Sequence, residues 1–238
     1  GGLLNLRFLK SSISLEWHRF FRCFQKDFKV ILICSLFLTI FRCIMILSMG
    51  SCLSASVSAY DVFIALFVGF RFDLSVGGYF ALPSFFVTVA CSMFPVESLC
   101  DYARKAMISL FLCLSAVILP ANYIFFLEFK DNFNQWIFGV IYDDFGAVLE
   151  SAWSEYPLAI MAILTVVVTA AFIWISLKFI KRPVTMRTIS GSNITALASR
   201  VFITLVMVML FAFCIRGSVG SRPVQRKDAG ITPDLFLN

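Results

Sequence analysis

Charge is scarce in this sequence. Only 14% of its 238 residues are Asp, Glu, Lys or Arg, against about 25% in a soluble domain, so water is not the chain's main solvent. Histidine is nearly absent: His18 stands alone, which leaves no His-based acid–base pair and no His cluster for zinc. The eight cysteines, Cys23, Cys34, Cys43, Cys52, Cys91, Cys100, Cys113 and Cys214, form no CxxC pair. Most lie inside apolar runs, where a thiol packs as a small hydrophobe. No Gly-rich phosphate loop, HExxH or GxSxG motif occurs, so no complete active site can be assembled from these residues.

The excess of Lys and Arg gives a net charge of +6, yet the basic residues sit in gaps between apolar blocks and build no basic domain. Nucleic acid is therefore not an expected partner. A cleavable secretory signal is not expected either, because the first long apolar run begins near residue 30 and its end, residues 48–54, opens into further membrane-type sequence. Gly1-Gly2 without Met reads as a trimmed or incomplete start. Asn193-Ile194-Thr195 matches a glycosylation acceptor, but the orientation set by the Lys and Arg distribution puts it in the cytoplasm, where it is not used.

What the chain does have is apolar length. Hydrophobic residues make up 60% of it, and they come in blocks rather than in the short periods that wrap a soluble core. A helix crossing about 30 Å of hydrocarbon at 1.5 Å per residue needs about 20 mostly apolar residues. Five stretches qualify: 30–49, 74–94, 106–127, 158–177 and 197–215. The expected fold class is all-α, a polytopic membrane bundle of five transmembrane helices with amphipathic interfacial helices. Residues 1–29 form a cytoplasmic arm, 30–215 the membrane domain with an outer loop at 128–157, and 216–238 a linker outside the cytoplasm. Residues 60–72 are too short to cross alone; they read as an interfacial or re-entrant lead into the second span, or as an outward extension of it.

Lys and Arg resist translocation, so their distribution sets orientation. They collect in the N-terminal arm (Arg7, Lys10, Arg19, Arg22, Lys26, Lys29), after the second span (Arg104, Lys105) and after the fourth (Lys178, Lys181, Arg182, Arg187). Residues 50–60 carry none, and in 128–157 Lys130 is outnumbered by Glu128, Asp131, Asp143, Asp144, Glu150 and Glu155. Five spans fit this alternation, with the N-terminus inside and the C-terminus outside. In residues 14–29, Trp17, Phe20, Phe21, Phe24 and Phe28 recur on one helical face and Arg19, Arg22 and Lys26 occupy the rest, which suits a helix lying on an anionic leaflet. The alternative is a continuous helix capping the bundle from below. Ile137, Ile141, Phe145, Val148, Ala152 and Tyr156 make a similar stripe in the outer loop.

Ionisable residues at membrane depth mark sites by default. Arg42 either snorkels outward or meets a lipid phosphate. Arg71 and Asp73 are two apart and point to different faces of a helix, so each needs its own partner: a phosphate or headgroup for Arg71, a basic residue of another span for Asp73. Gly77-Gly78 and Pro83 prepare the second span for close packing or a kink.

Three stretches together resemble the lipoteichoic acid synthase-like and phosphoglycerol transferase family, membrane-anchored transferases with a sulfatase-like catalytic domain. They are GFRFDLSVGGYF (69–80), which opens the second span; EFKDNFNQWIFGVIYDDFGAVLESAWSEYP (128–157), the outer loop; and SRPVQRKDAGITPDLFLN (221–238), the outer linker. The resemblance covers roughly residues 30–238. It implies the transmembrane anchor of a bacterial envelope enzyme in the cytoplasmic (inner) membrane. Such an enzyme moves a phosphoglycerol or phosphoethanolamine group from a membrane phospholipid to an acceptor outside the cytoplasm. It also implies a partner, a C-terminal extracytoplasmic catalytic domain expected to begin soon after Asn238. The divalent metal and the Thr or Ser nucleophile would belong to that domain, so no cofactor and no catalytic residue is expected in this chain. By the same resemblance Arg71, Asp73, Glu128, Asn132 and Asn134 position the donor headgroup or dock the catalytic domain. The competing readings are a small transporter or channel and a membrane scaffold without chemistry of its own. Spans three to five are almost free of charge and no repeat relates the two halves, which disfavours a transporter.

Overall fold

A computed structural model describes residues 2–50, 57–93, 97–129, 146, 150, 153–154, 156–182 and 194–218. Five long helices run through them: α1 (Gly2–Ser48), α2 (Ala59–Met93), α3 (Glu97–Phe129), α4 (Leu158–Lys181) and α5 (Ile194–Arg216). Each is long and apolar enough to cross a membrane, and the chain is a multi-pass, all-α membrane protein. Successive helices run up and down. The upper end of the bundle carries Ser48, Ala59 and Leu158, and the lower end carries Met93, Glu97, Lys181 and Ile194.

α1 is the hub, in contact with all four other helices. α2 and α3 pack on it and on each other, α4 lies against α3 and α1, and α5 lies against α2 and α1. Phe24, Val30, Ile31, Cys34 and Phe37 of α1 are buried with Ala81, Ile108, Phe111, Leu112, Ile180 and Phe211. Aromatic edges lock this cluster: Phe37 meets Phe111 and Phe172 at right-angled contacts, and Phe85 stacks on Phe211 with centroids 4.6 Å apart. Such offset and edge-on pairs are worth about 0.5–1.5 kcal/mol each beyond the area they bury.

Two segments differ from their description by apolar runs alone. Residues 14–29 are not set apart from the first span but continue into it as one helix. Their aromatic face is covered by protein: Phe24 and Phe28 pack on Phe211, and Trp17 Nε1 donates to Thr204 Oγ1 at 3.1 Å. Residues 60–72 are the upward continuation of α2, not a re-entrant segment. Most of the outer-loop stripe lies outside the described residues.

The three hub helices are taller than a bilayer. Residues 16–48 of α1 span about 50 Å at 1.5 Å per residue, against about 30 Å of hydrocarbon. The two flanking helices are shorter, and they sit at different heights. The lower end of α4 meets Lys29, whose Nζ donates to the carbonyls of Phe179 at 3.1 Å and Arg182 at 2.6 Å. α5 begins lower and stops lower: Thr204 is level with Trp17, Phe211 with Phe24, and Ile215 with Gly78. On both flanking helices most apolar side chains stay exposed, as Ile163, Val166, Phe202 and Met209 do. In lipid there is no hydrophobic gain from burying them, and small or polar residues make the contacts instead: Thr169 and Ser176 are among the few buried residues of α4.

Candidate functional site

The stretch GFRFDLSVGG of α2 serves two neighbours at once. Gly69, Asp73 and Gly77 lie four apart and face α1. Arg71, Ser75 and Gly78 lie on the flank that faces α5. Helical geometry alone produces this division, because residues two apart are rotated by about 200°.

Towards α1, the Arg42 guanidinium donates through Nη2 to Asp73 Oδ1 at 2.8 Å, and Thr39 Oγ1 donates to Asp73 Oδ2 at 2.9 Å. Ser35 Oγ donates to the Asp73 carbonyl at 3.1 Å. Asp73 is buried while the Arg42 side chain keeps 38% of its surface exposed. Arg42 therefore turns inward to a carboxylate rather than snorkelling outward. It can do so because position 69 is glycine: a Cβ there would sit 2.4 Å from Arg42 Nε. Eight residues below, a Cβ on Gly77 would lie 2.8 Å from the Ile31 carbonyl oxygen, so α1 and α2 touch backbone to backbone, the close approach that small residues permit.

Towards α5, Arg71 Nε donates to the Gly217 carbonyl at 2.8 Å and Ser75 Oγ donates to the Ile215 carbonyl. Ser75 thereby satisfies a carbonyl that the last turn of α5 leaves without an intrahelical partner, and Arg71 satisfies the carbonyl just past the helix end. Gly217 itself has φ 61°, the left-handed conformation that ends many helices and that glycine adopts without steric cost. Gly78 lets α5 come close, since a Cβ on it would meet Ile215 Cγ1 at 2.9 Å. The expectation that Arg71 and Asp73 have separate partners on different faces holds. Glu128 lies in the last turn of α3, and Asn132 and Asn134 lie outside the described residues.

Sequence reasoning missed a second polar cluster, below the first. Asp27 of α1 and Arg104 of α3 form an ion pair at 2.7 Å with both side chains fully buried. Ser84 and Thr88 of α2 donate to the two Asp27 oxygens at 2.9 and 2.7 Å. Arg104 also donates to Asp101 Oδ1 at 2.9 Å, to the Cys23 carbonyl at 2.8 Å and to Thr88 Oγ1 at 2.8 Å. Lys26 closes on Asp101 at 2.9 Å. The one available signal was the pair Ser84 and Thr88, four apart on an otherwise apolar helix face.

The contents of the two clusters decide what each can do. The lower one pairs its charges and saturates them with hydrogen bonds, which makes it a fastening of three helices. The upper one pairs Arg42 with Asp73 on the α1 side of α2, while Arg71 on the other side holds the chain where it leaves α5. Among the described residues no group of three or more His, Cys, Asp or Glu side chains is placed to hold a metal ion. Comparison of the chain with protein-family models, with curated proteins and with solved structures finds no match.

Proposed function

We propose that this chain is the transmembrane anchor of a bacterial envelope phosphoglycerol or phosphoethanolamine transferase of the sulfatase-like, lipoteichoic acid synthase-like kind. It sits in the cytoplasmic membrane with its N-terminus inside and the segment after α5 outside. The observation that carries the reading is the tie between Arg71 and Gly217. The stretch that bears the resemblance, residues 69–80, holds the last carbonyls of α5, from which the chain proceeds towards the linker. An anchor has to fix that exit point against the pull of a domain beyond it.

The same arrangement disfavours a transporter. Substrate paths in transporters run through discontinuous helices with polar groups near mid-membrane in several of them. Here the interhelical ion pairs between buried carboxylates and arginines, Asp73 with Arg42 and Asp27 with Arg104, are separated by the packed layer of Ile31, Cys34, Ala81, Ile108 and Leu112.

The test uses membranes carrying the product of the whole reading frame that contains this chain, supplied with phosphatidylglycerol or phosphatidylethanolamine labelled in the headgroup. Transfer of the labelled phospho-alcohol to an acceptor hydroxyl, with release of diacylglycerol, is the expected result. Absence of transfer from both donors, in membranes where the protein is folded and abundant, would overturn the reading in favour of a scaffold without chemistry.

A further inference from the structure

Cys23 of α1 and Cys100 of α3 touch each other in the lower part of the bundle and form a small core of their own, with Val87 of α2 packed against them. Both are thiols. No motif in the sequence pairs them, but the helix register does. Their separation along the chain, 77 residues, is also that of Asp27 and Arg104. α1 and α3 both rise from the lower end, so Cys23 stands one turn below Asp27 and Cys100 one turn below Arg104, on the faces that the ion pair already brings together.

Contacts above and below hold that register. Arg104 pairs with Asp27 at 2.7 Å one turn above the thiols, Lys26 with Asp101 at 2.9 Å, and Arg19 with Glu97 at 3.7 Å below them. Arg104 Nη2 also donates to the Cys23 carbonyl at 2.8 Å, which ties the backbone of one cysteine to the helix that bears the other. A disulfide requires Cβ atoms about 3.5–4.5 Å apart, and a seam fastened on both sides keeps these two thiols face to face. Their surroundings differ in one respect. Cys23 keeps 5% of its surface exposed and Cys100 none, its Sγ donating to the Val87 carbonyl across 3.8 Å.

We infer that Cys23 and Cys100 form a redox-switched pair, which hydrogen peroxide converts into a disulfide between α1 and α3. Cys23, the thiol with residual exposure, reacts first. Its sulfur attacks one peroxide oxygen, the O–O bond breaks, and the thiol proton leaves with the other oxygen as water, giving a sulfenic acid. The Cys100 sulfur then attacks the Cys23 sulfur, the S–O bond breaks, and the hydroxyl departs with the Cys100 proton as a second water. A sulfenic acid beside another thiol takes this course. On the proposed orientation the pair lies at the cytoplasmic end, where thiols are kept reduced and a disulfide is a transient, sensing state. The thiol form is then the resting one, and oxidation adds a covalent clamp to the ion-paired ends of α1 and α3. The inference stands on the packing of these two helices and does not require the chain to belong to a transferase.

The test is oxidation of the full chain in lipid nanodiscs by graded hydrogen peroxide, with a short cysteine peptide in the same sample to report the dose. Remaining thiols are alkylated with iodoacetamide, and the digested protein is read by mass spectrometry. A peptide pair joined through Cys23 and Cys100, and split again by dithiothreitol, is the expected main product. Cys100→Ala should strand Cys23 as the sulfenic acid, which dimedone traps, whereas Cys23→Ala should leave Cys100 as a thiol. Hydrogen exchange in residues 97–104 of wild type should slow on oxidation and recover with dithiothreitol, and Cys23→Ala should lose that response. The wild-type measurements need no variant to fold. Recovery of both cysteines as alkylated thiols at a dose that consumes the reporter peptide overturns the inference. So does a disulfide from either of them to any other cysteine as the main product, or oxidation of Cys100 in Cys23→Ala at the wild-type rate.

Discussion

Arg104 of α3 reaches Asp27 of α1 at 2.7 Å in a pocket that also contains Ser84 and Thr88 of α2, and neither charged side chain retains any exposed surface. Three helices are therefore held at one height by a single carboxylate and a single guanidinium. The pair lies below the packed layer and above the outlying contacts of Lys26 with Asp101 and of Arg19 and Arg22 with Glu97. Polarity rises from the buried pair towards the lower surface.

Removing Arg104 leaves Asp27 charged without its cation in a dry site, and removing Asp27 leaves Arg104 with only the partly exposed Asp101 as counter-charge. Arg104→Ala or Asp27→Ala should each destabilise the protein by about 3–5 kcal/mol. Replacing both with apolar residues of similar volume, as in Asp27→Leu with Arg104→Met, should cost much less than the two single losses added together. Unfolding in graded detergent mixtures measures all three. Additive losses would show that the two groups are not coupled.

Gly69 and Arg42 should behave as one unit. Gly69→Ala places a methyl where Arg42 Nε now lies, and the long side chain yields by leaving Asp73. The substitution is expected to reproduce the loss of stability of Arg42→Met, and the double variant should be scarcely worse than either alone. A double-variant loss equal to the sum of the two would mean that Arg42 does not depend on the glycine.

Gly77 offers no such escape, because its neighbour is the backbone oxygen of Ile31. Gly77→Ala should cost about 1–3 kcal/mol, as overpacking does. Gly50→Ala is the control: among the described residues nothing lies within 4 Å of a Cβ there, and the change should stay within about 0.5 kcal/mol. The same unfolding assay reads both.

Lys29 caps the lower end of α4 through two carbonyls. Lys29→Met keeps most of the stem and removes the donors. Hydrogen exchange at residues 178–182 should quicken while exchange in residues 205–212 of α5 stays as it was. Uniform quickening across the bundle would point to general loosening rather than a lost cap.

Orientation is checked by reporters fused after residue 190 and after residue 218. The first should be active only as a cytoplasmic reporter and the second only as an extracytoplasmic one. The reverse pattern would overturn the topology and the proposed function with it.

The five spans could be read from the sequence, because hydrocarbon imposes a minimum length of apolar residues that composition alone reveals. So could the opposite facing of Arg71 and Asp73, which follows from helical rotation, and the packing role of Gly77 and Gly78, which have no Cβ. The partners of those residues could not. Asp73 finds Arg42 across 31 residues of chain and Arg71 finds Gly217 across 146, and no local pattern encodes which helices lie side by side. Nothing local singles out Asp27, an acid among basic residues that three helices enclose.

Helix ends are not span ends: α1, α2 and α3 extend beyond their apolar spans, since a helix keeps its hydrogen bonds across the border between lipid-facing and polar residues. The height of α5 was the least accessible feature. Hydropathy reports how much of a helix lipid will accept, whereas the level at which α5 stops is set by Gly78, Ser75 and Arg71 on a neighbouring helix. The sequence by itself determined that this chain crosses a membrane and where its apolar spans lie, because the solvent enforces that residue by residue. Only the tertiary structure decided which charges meet and at what level α5 ends beside α2, because those depend on contacts between helices far apart in the chain.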